Sequence, residues 1–423
     1  MRFVKQLALG SITALLLAAC GGGSEQAAKV TYSSVVSFGD SLSDAGTYKV
    51  GQIAAVGGMF TVNGINGAIG ASTAPSYVWP QLVAAAIVGT PTCAARMGFA
   101  GAVAPVPGCT NYAQGGSRVT DINGSGHAGG AGALTEPVVA QIQNFLALPA
   151  NGGKFKGTEL VTVQGGANDL FVQGDIFKTS FMNAVVTRLV LGAPSANQAA
   201  VQTAVLTAVA TQVAAEASSA VVIGAAITAA ATHAVANSYP NLVAFGAAAD
   251  QGAALVALAS NDATPAAIAS VTLAAKELAD AVKSIVSSGA KRVVVMNIPD
   301  ASQAPGTTSE SRPLTAAMLN AFNSKLKSEL TGVNSVLLLD VFTENQKQFA
   351  TPEQFGLTNV KDKVCKVDSA TNPTGSSLFC NPTNVLAGDT SRYLFADGVH
   401  PTPYGHKLLA QFVTKELVLA GWL

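Results

Sequence analysis

The chain has 423 residues, 49% of them hydrophobic and only 11% charged, so it can bury a large core and does not have the composition of a disordered protein. Its 24 basic and 24 acidic side chains cancel to a formal charge of zero, and no basic run occurs anywhere. Nothing therefore supplies the electrostatic footprint of a nucleic-acid binder.

The first element in chain order is MRFVKQLALGSITALLLAAC, where Arg2 and Lys5 precede a short apolar run that closes on small residues and Cys20. The run is too short for a spanning helix and reads as an export signal. Leu17-Ala18-Ala19-Cys20 resembles the lipobox of bacterial lipoproteins. That resemblance implies cleavage after residue 19 and lipidation of Cys20, with ordinary secretion as the alternative. Residues 20–30, beginning GGGSEQAAK after the cysteine, read as a flexible tether. Gly21 after the cysteine implies, by the same resemblance, outer-membrane sorting of an envelope protein.

Four apolar, β-branched stretches follow: SSVVSF before Gly39, ELVTVQ before Gly165, KRVVVMN before Ile298, and NSVLLLD ending at Asp340. Apolar on both faces, they predict buried parallel strands. Helical periodicity lies between and after them. In the last segment Leu408, Leu409, Phe412, Val413 and Leu417 form one stripe, opposite Lys407, Gln411, Lys415 and Glu416. Alternating strands and helices predict an α/β fold.

Residues of about 184–262 depart from this pattern: they are rich in alanine, poor in polar residues and carry no strand signal. The stretch ASSAVVIGAAITAAATHAVA approaches membrane-spanning length, but alanine contributes little to insertion, and a helical insertion packed on the α/β body is the preferred reading. It follows the Asn168 segment closely, which places it near the mouth of any site there and predicts a cap over that site. A helical appendage packed away from the site is the alternative. His233 in this segment reads as a surface or satisfied histidine, and His127, in NGSGHAGG, as a loop residue.

Besides Cys20 there are four cysteines, Cys93, Cys109, Cys365 and Cys380, in two sequence-local pairs. An even number in an exported chain reads as disulfides. Of three possible pairings the local one is preferred, each bridge closing a short Gly- and Pro-containing surface loop and contributing roughly 3 kcal/mol. The absence of C-x-x-C spacing argues against zinc.

In an open α/β sheet, ligands sit beyond the carboxyl ends of the strands. Ser41, after the first strand, is predicted to start a helix whose free N–H groups would favour a developing oxyanion. A base for it is His400 in LFADGVHPTPYGH, three residues after Asp397; that spacing lets one turn hold the carboxylate against the imidazole. Asp40 and Asp44 read as capping and loop hydrogen-bonding groups rather than metal ligands. His406 lacks an acid three residues before it. No G-x-S-x-G elbow occurs, so the α/β-hydrolase arrangement of a serine esterase is set aside.

FGDSLSDAG, NYAQGGS, VQGGANDL and DGVHPT resemble, in order, the four sequence blocks of the GDSL or SGNH hydrolases. TPEQFGLTNVKDKVC further resembles a loop of the bacterial lipase, esterase and glycerophospholipid acyltransferase branch. The resemblance covers most of residues 31–423 apart from the alanine-rich segment. It implies a three-layer α/β/α hydrolase domain with Ser41 as nucleophile, His400 as base and Asp397 as its partner. The Ser41 and Gly115 N–H groups and the Asn168 amide would form an oxyanion hole, with Gly116 the rival of Gly115. The implied reaction is hydrolysis of carboxylic esters, lipid or small, through an acyl-serine with no metal or organic cofactor. Transfer of the acyl group to a lipid or sterol acceptor uses the same intermediate. A non-catalytic envelope binding lipoprotein is the alternative of another class, which an intact set of five site residues argues against.

Overall fold

The computed structural model describes residues 30–423 apart from 65–75, 100–101, 126–133, 216, 241–247 and 369. The leader, Cys20, nearly all of the tether and His127 lie outside the described residues.

The four apolar stretches form one parallel sheet. Strands β1 (Ser34–Phe38), β4 (Glu159–Val163), β5 (Val293–Met296) and β6 (Val336–Leu339) lie side by side in that order. Val35 pairs with Leu160, Val161 with Val293, and Val294 with Leu337. Alternation along each strand sends side chains to two cores. Val36, Phe38, Val161, Val163, Val293 and Val295 enter one. They pack there against helices α3 (Val138–Leu146), α7 (Ala248–Ser287) and α8 (Arg312–Leu330). Val35, Leu160, Val294 and Met296 enter the other, facing α2 (Trp79–Val88) and α10 (Pro403–Leu419). In α10 the buried part of the apolar stripe is Leu409, Val413 and Leu417. The result is a three-layer α/β/α fold.

Two small sheets accompany it: an antiparallel pair, β2 (Arg96–Phe99) with β3 (Ala102–Pro105), and a parallel pair, β7 (Asn359–Lys363) with β8 (Tyr393–Phe395). Short helices α1 (Gly51–Val56) and α9 (Val341–Ala350) complete the body. The cysteines are bridged locally, Cys93 to Cys109 and Cys365 to Cys380. They differ in setting. Cys93 is exposed, whereas Cys365 and Cys380 are both buried, against Ala396.

The alanine-rich segment is helical but its limits differ from the compositional ones. Helix α4 runs unbroken from Ala167 to Leu191 and α7 from Ala248 to Ser287, with α5 (Gln198–Ala214) and α6 (Ser219–Ala236) between them. The outer parts of α4 and α7 thus project from the body and pack with α5 and α6. The core of this bundle is Val185, Leu189, Val201, Val205, Leu255 and a set of alanines. In α6, Val222, Ala226, Ala230 and Ala234 recur every fourth residue on the buried face. By length and composition α6 could cross a membrane. Pro265 lies inside α7 between the last bundle residue, Ala259, and the first residue of the body core, Ala267.

Candidate active site

Because β1 and β4 are parallel neighbours, the segments leaving them emerge at the same sheet edge. From β1 the chain enters a turn at Asp40–Ser43 rather than the expected helix. The cause is side-chain competition for the backbone donors a helix would have used. Asp40 Oδ1 accepts from the Leu42 N–H at 3.1 Å, and Asp44 Oδ1 accepts from Gly46 and Thr47 N–H at 2.8 and 2.7 Å. The helix-dipole argument for Ser41 therefore does not apply; its N–H is presented by a turn.

The structure brings Ser41, His400 and Asp397 together. Ser41 Oγ lies 2.8 Å from His400 Nε2, and His400 Nδ1 lies 2.8 and 2.9 Å from the two Asp397 oxygens. With Nδ1–H donating to the carboxylate, Nε2 is left to accept the serine proton. The Asp397 loop is tight: Oδ1 accepts from the Val399 and His400 N–H groups, and Oδ2 from the Ser377 N–H at 2.8 Å. Burial disfavours the carboxylate, but the charge and hydrogen bonds of His400 and the Ser377 donor outweigh it and hold the Asp397 pKa well below the usual range. Burial likewise opposes the imidazolium, and the Asp397 carboxylate reverses that, leaving the His400 pKa above the ordinary imidazole value.

From β4 the chain turns at Gly166, whose φ of +102° is the left-handed region; a Cβ there would also run into the Phe322 ring. Helix α4 then opens with Asn168 and Asp169, both buried. Asp169 accepts from Arg118 Nε and the Val119 N–H, both at 3.0 Å. Asn168 Nδ2 donates to Ser117 O at 2.9 Å, which uses one of its two hydrogens.

The two glycines of QGGS separate by role. The Gly115 N–H donates to Asp44 Oδ2 at 2.9 Å, so it is already taken and cannot serve an oxyanion, contrary to expectation. Gly115 is a glycine for packing: a Cβ would run into the Phe60 ring. Gly116 has φ +81°, and among the described residues neither its N–H nor that of Ser41 is hydrogen bonded. Gly116, Ser41, Asn168 and His400 all line one cavity of about 1200 Å³.

Two groups at the site, Phe60 and Ser377, have no signal in the sequence, and the structure gives His406, Asp40, Asp44 and His233 their places. The Phe60 ring sits over His400 with centroids 4.8 Å apart. His406 is fully buried, accepting from the Trp79 N–H at Nδ1 and donating from Nε2 to Phe60 O, both at 3.3 Å. Burial, with a smaller contribution from His400, pushes its pKa down to about 3, so it is a neutral strut beneath Phe60. Burial also raises Asp40 and Asp44 to about 6 against their hydrogen bonds. Ser377, the donor to Asp397, belongs to the loop closed by Cys365–Cys380. His233, in the bundle, lies 2.9 Å from the Tyr239 hydroxyl. No group of three His, Cys, Asp or Glu side chains suited to a metal occurs among the described residues.

The cavity does not end at the body. Beyond Ser41 it is walled by α4 and by residues of α6 and α7, so the alanine-rich bundle faces the site rather than packing away from it.

Residues 190–413 match the profile of GDSL-like Lipase/Acylhydrolase. The match contains Asp397 and His400 and leaves out the Ser41 turn. The anther-specific proline-rich protein APG of Arabidopsis thaliana is 28% identical over 155 residues, 34% of this chain and 28% of that protein. Esterase EstA of Pseudomonas aeruginosa is 32% identical over 139 residues, 31% of this chain and 20% of that protein. A GDSL esterase/lipase of Arabidopsis thaliana is 31% identical over 93 residues, 22% of this chain and 24% of that protein. The chain thus spans less than a third of the length of these curated relatives.

Proposed function

This chain belongs to the family of GDSL-like lipases and acylhydrolases, and on that premise we propose that it hydrolyses carboxylic esters through an acyl-serine intermediate. Ser41 Oγ attacks the ester carbonyl while His400 Nε2 takes its proton. Asp397 holds the imidazole in the tautomer that can accept and stabilises the imidazolium that forms. The oxyanion is received by the Ser41 and Gly116 N–H groups and the second hydrogen of Asn168 Nδ2, each donor contributing about 3 kcal/mol in the transition state. His400 returns the proton to the leaving alcohol, and water, deprotonated by the same histidine, releases the acid.

The observation that carries this reading is the 2.8 Å approach of Ser41 Oγ to a His400 whose other nitrogen is held by a buried carboxylate. A fluorophosphonate probe tests it, since that reagent needs an activated serine. Labelling of the full chain, lost in Ser41→Ala together with nitrophenyl ester hydrolysis, is the expected result; labelling that survives the substitution overturns it.

We propose further that the protein is exported and held on the bacterial envelope by a lipid on Cys20. Metabolic labelling with a fatty-acid analogue, abolished by Cys20→Ser, is the expected outcome.

A further inference from the structure

Helix α4 carries one wall of the cavity for most of its length. Phe171, Gly174, Phe177, Phe181 and Met182 line it together with Asp175 and Lys178, a set that recurs at the three- and four-residue spacing of one helix face. At 1.5 Å per residue this wall extends about 21 Å from Asn168 to Met182. An acyl chain that fills one leaflet of a bilayer needs about 15 Å. Ile223 and Ile227 of α6 and Val256 of α7 face the same space. The wall begins at Asn168 beside Ser41 and His400, and beyond it is apolar but for Asp175 and Lys178.

Two glycines make the space more than a gap between helices. Gly174 lies inside α4 and Gly224 inside α6, and both line the cavity. A Cβ placed on either would meet nothing within 4 Å. Glycine inside a helix costs about 1 kcal/mol relative to alanine. Alanine at either position would fit the protein alone and stabilise its helix, and Gly224 stands in a helix that otherwise uses alanine freely. Leaving out the methyl groups serves only something else that occupies the cavity.

We infer that the cavity is the binding site for the acyl chain of a long-chain ester, with the carbonyl at Ser41 and the chain running along α4 between Phe177, Phe181 and the isoleucines of α6. The inference rests on the ester-hydrolase reading and adds the substrate class to it. Gly174 and Gly224 provide the width of the channel, and the bundle provides its far wall.

The test is the ratio of kcat/KM for nitrophenyl palmitate to that for nitrophenyl butyrate in the full chain and in Gly174→Leu and Gly224→Leu. Each leucine should lower the ratio at least about tenfold, as expected for a side chain pushed into an apolar pocket. The alanine variants should raise Tm, confirming that glycine is not there for folding. Should a leucine variant fail to fold, Phe181→Trp supplies the same reading. An unchanged ratio in folded variants overturns the inference. If the wild type hydrolyses neither ester, the catalytic reading fails separately. The cavity is then judged by calorimetric binding of palmitate to the full chain: binding weakened tenfold by Gly224→Leu supports it, and no binding overturns it.

Discussion

The two halves of the cavity are built on different principles. On the body side the carboxylates and amides that flank Ser41 are held by named partners: Asp40 accepts from Gln164 and Leu42, Asp44 from three backbone N–H groups, and Gln141 clamps the Gly39 N–H and carbonyl. On the bundle side the buried residues are valines, leucines and alanines, and the hydroxyls of Thr203, Thr207 and Thr211 bond only to their own helix. One cross-helix ion pair, Arg188 with Asp262 at 2.8 Å, is exposed and therefore weak. Hydrogen bonds fail with small displacements, whereas alanine packing tolerates them. The body thus fixes atoms for a reaction, and the bundle fixes only a volume.

That contrast is broken most sharply by removing a reacting group. Ser41→Ala and His400→Ala should each lower kcat by several orders of magnitude with Tm little changed, because members of such a set act as a unit; steady-state kinetics beside thermal denaturation check this. Next in size, replacing residues 184–262 by a short linker should cut long-chain ester hydrolysis at least about tenfold more than butyrate hydrolysis. Equal losses on both would show that the bundle only supports the fold. The two disulfides offer a finer cut within the body. Replacing Cys93 and Cys109 by alanine should cost about 3 kcal/mol of stability on the loop-entropy model and leave kcat alone. Replacing Cys365 and Cys380 should also lower kcat several-fold, since that loop carries the Ser377 donor to Asp397; denaturation and kinetics on the two double variants separate them. This departs from the expectation that both bridges merely close surface loops.

Two pH effects are smaller. His400 must be neutral to accept the serine proton, and its raised pKa places the acid limb of kcat/KM above the ordinary imidazole value of about 6.5; a limb centred below that value contradicts the assignment. His406 affects stability instead. Its folded pKa of about 3 lies below the unfolded one, so between the two the unfolded state binds more protons. Its contribution is present above about pH 6.5 and is lost as pH falls toward 3, at up to about 1.4 kcal/mol per pH unit. Denaturant titrations of His406→Gln should lack that part of the acid-side slope.

The strands and the Ser41, Asp397 and His400 positions were legible because each rests on local pattern: apolar runs, and a three-residue spacing within one turn. The choice between Gly115 and Gly116 was not, because it is decided by Asp44, 71 residues away in sequence, which takes one amide and leaves the other. Propensity predicts a helix at Ser41 because it does not register two aspartates claiming the backbone donors. Phe60 lies in a stretch without periodicity, and its place over His400 is set by His406 from the last helix. The bundle's limits were read from composition at 184 and 262, but a helix continues as long as its hydrogen-bond ladder does, so α4 and α7 carry the body into the bundle without a joint.

In α7, however, that ladder has a missing rung. Pro265 has no N–H to give to the carbonyl of Asn261, one turn before it, and the break falls where the bundle half meets the body half. Opening of the bundle then disturbs few of the bonds that protect Val271 to Ile285 against the sheet. The two halves of one helix should therefore exchange as separate units, the outer one with lower protection, in hydrogen-exchange mass spectrometry of the full chain. On the acyl-site reading, a chain entering the cavity from the bundle side would be admitted by this local opening, at a small fraction of the free energy of unfolding the body.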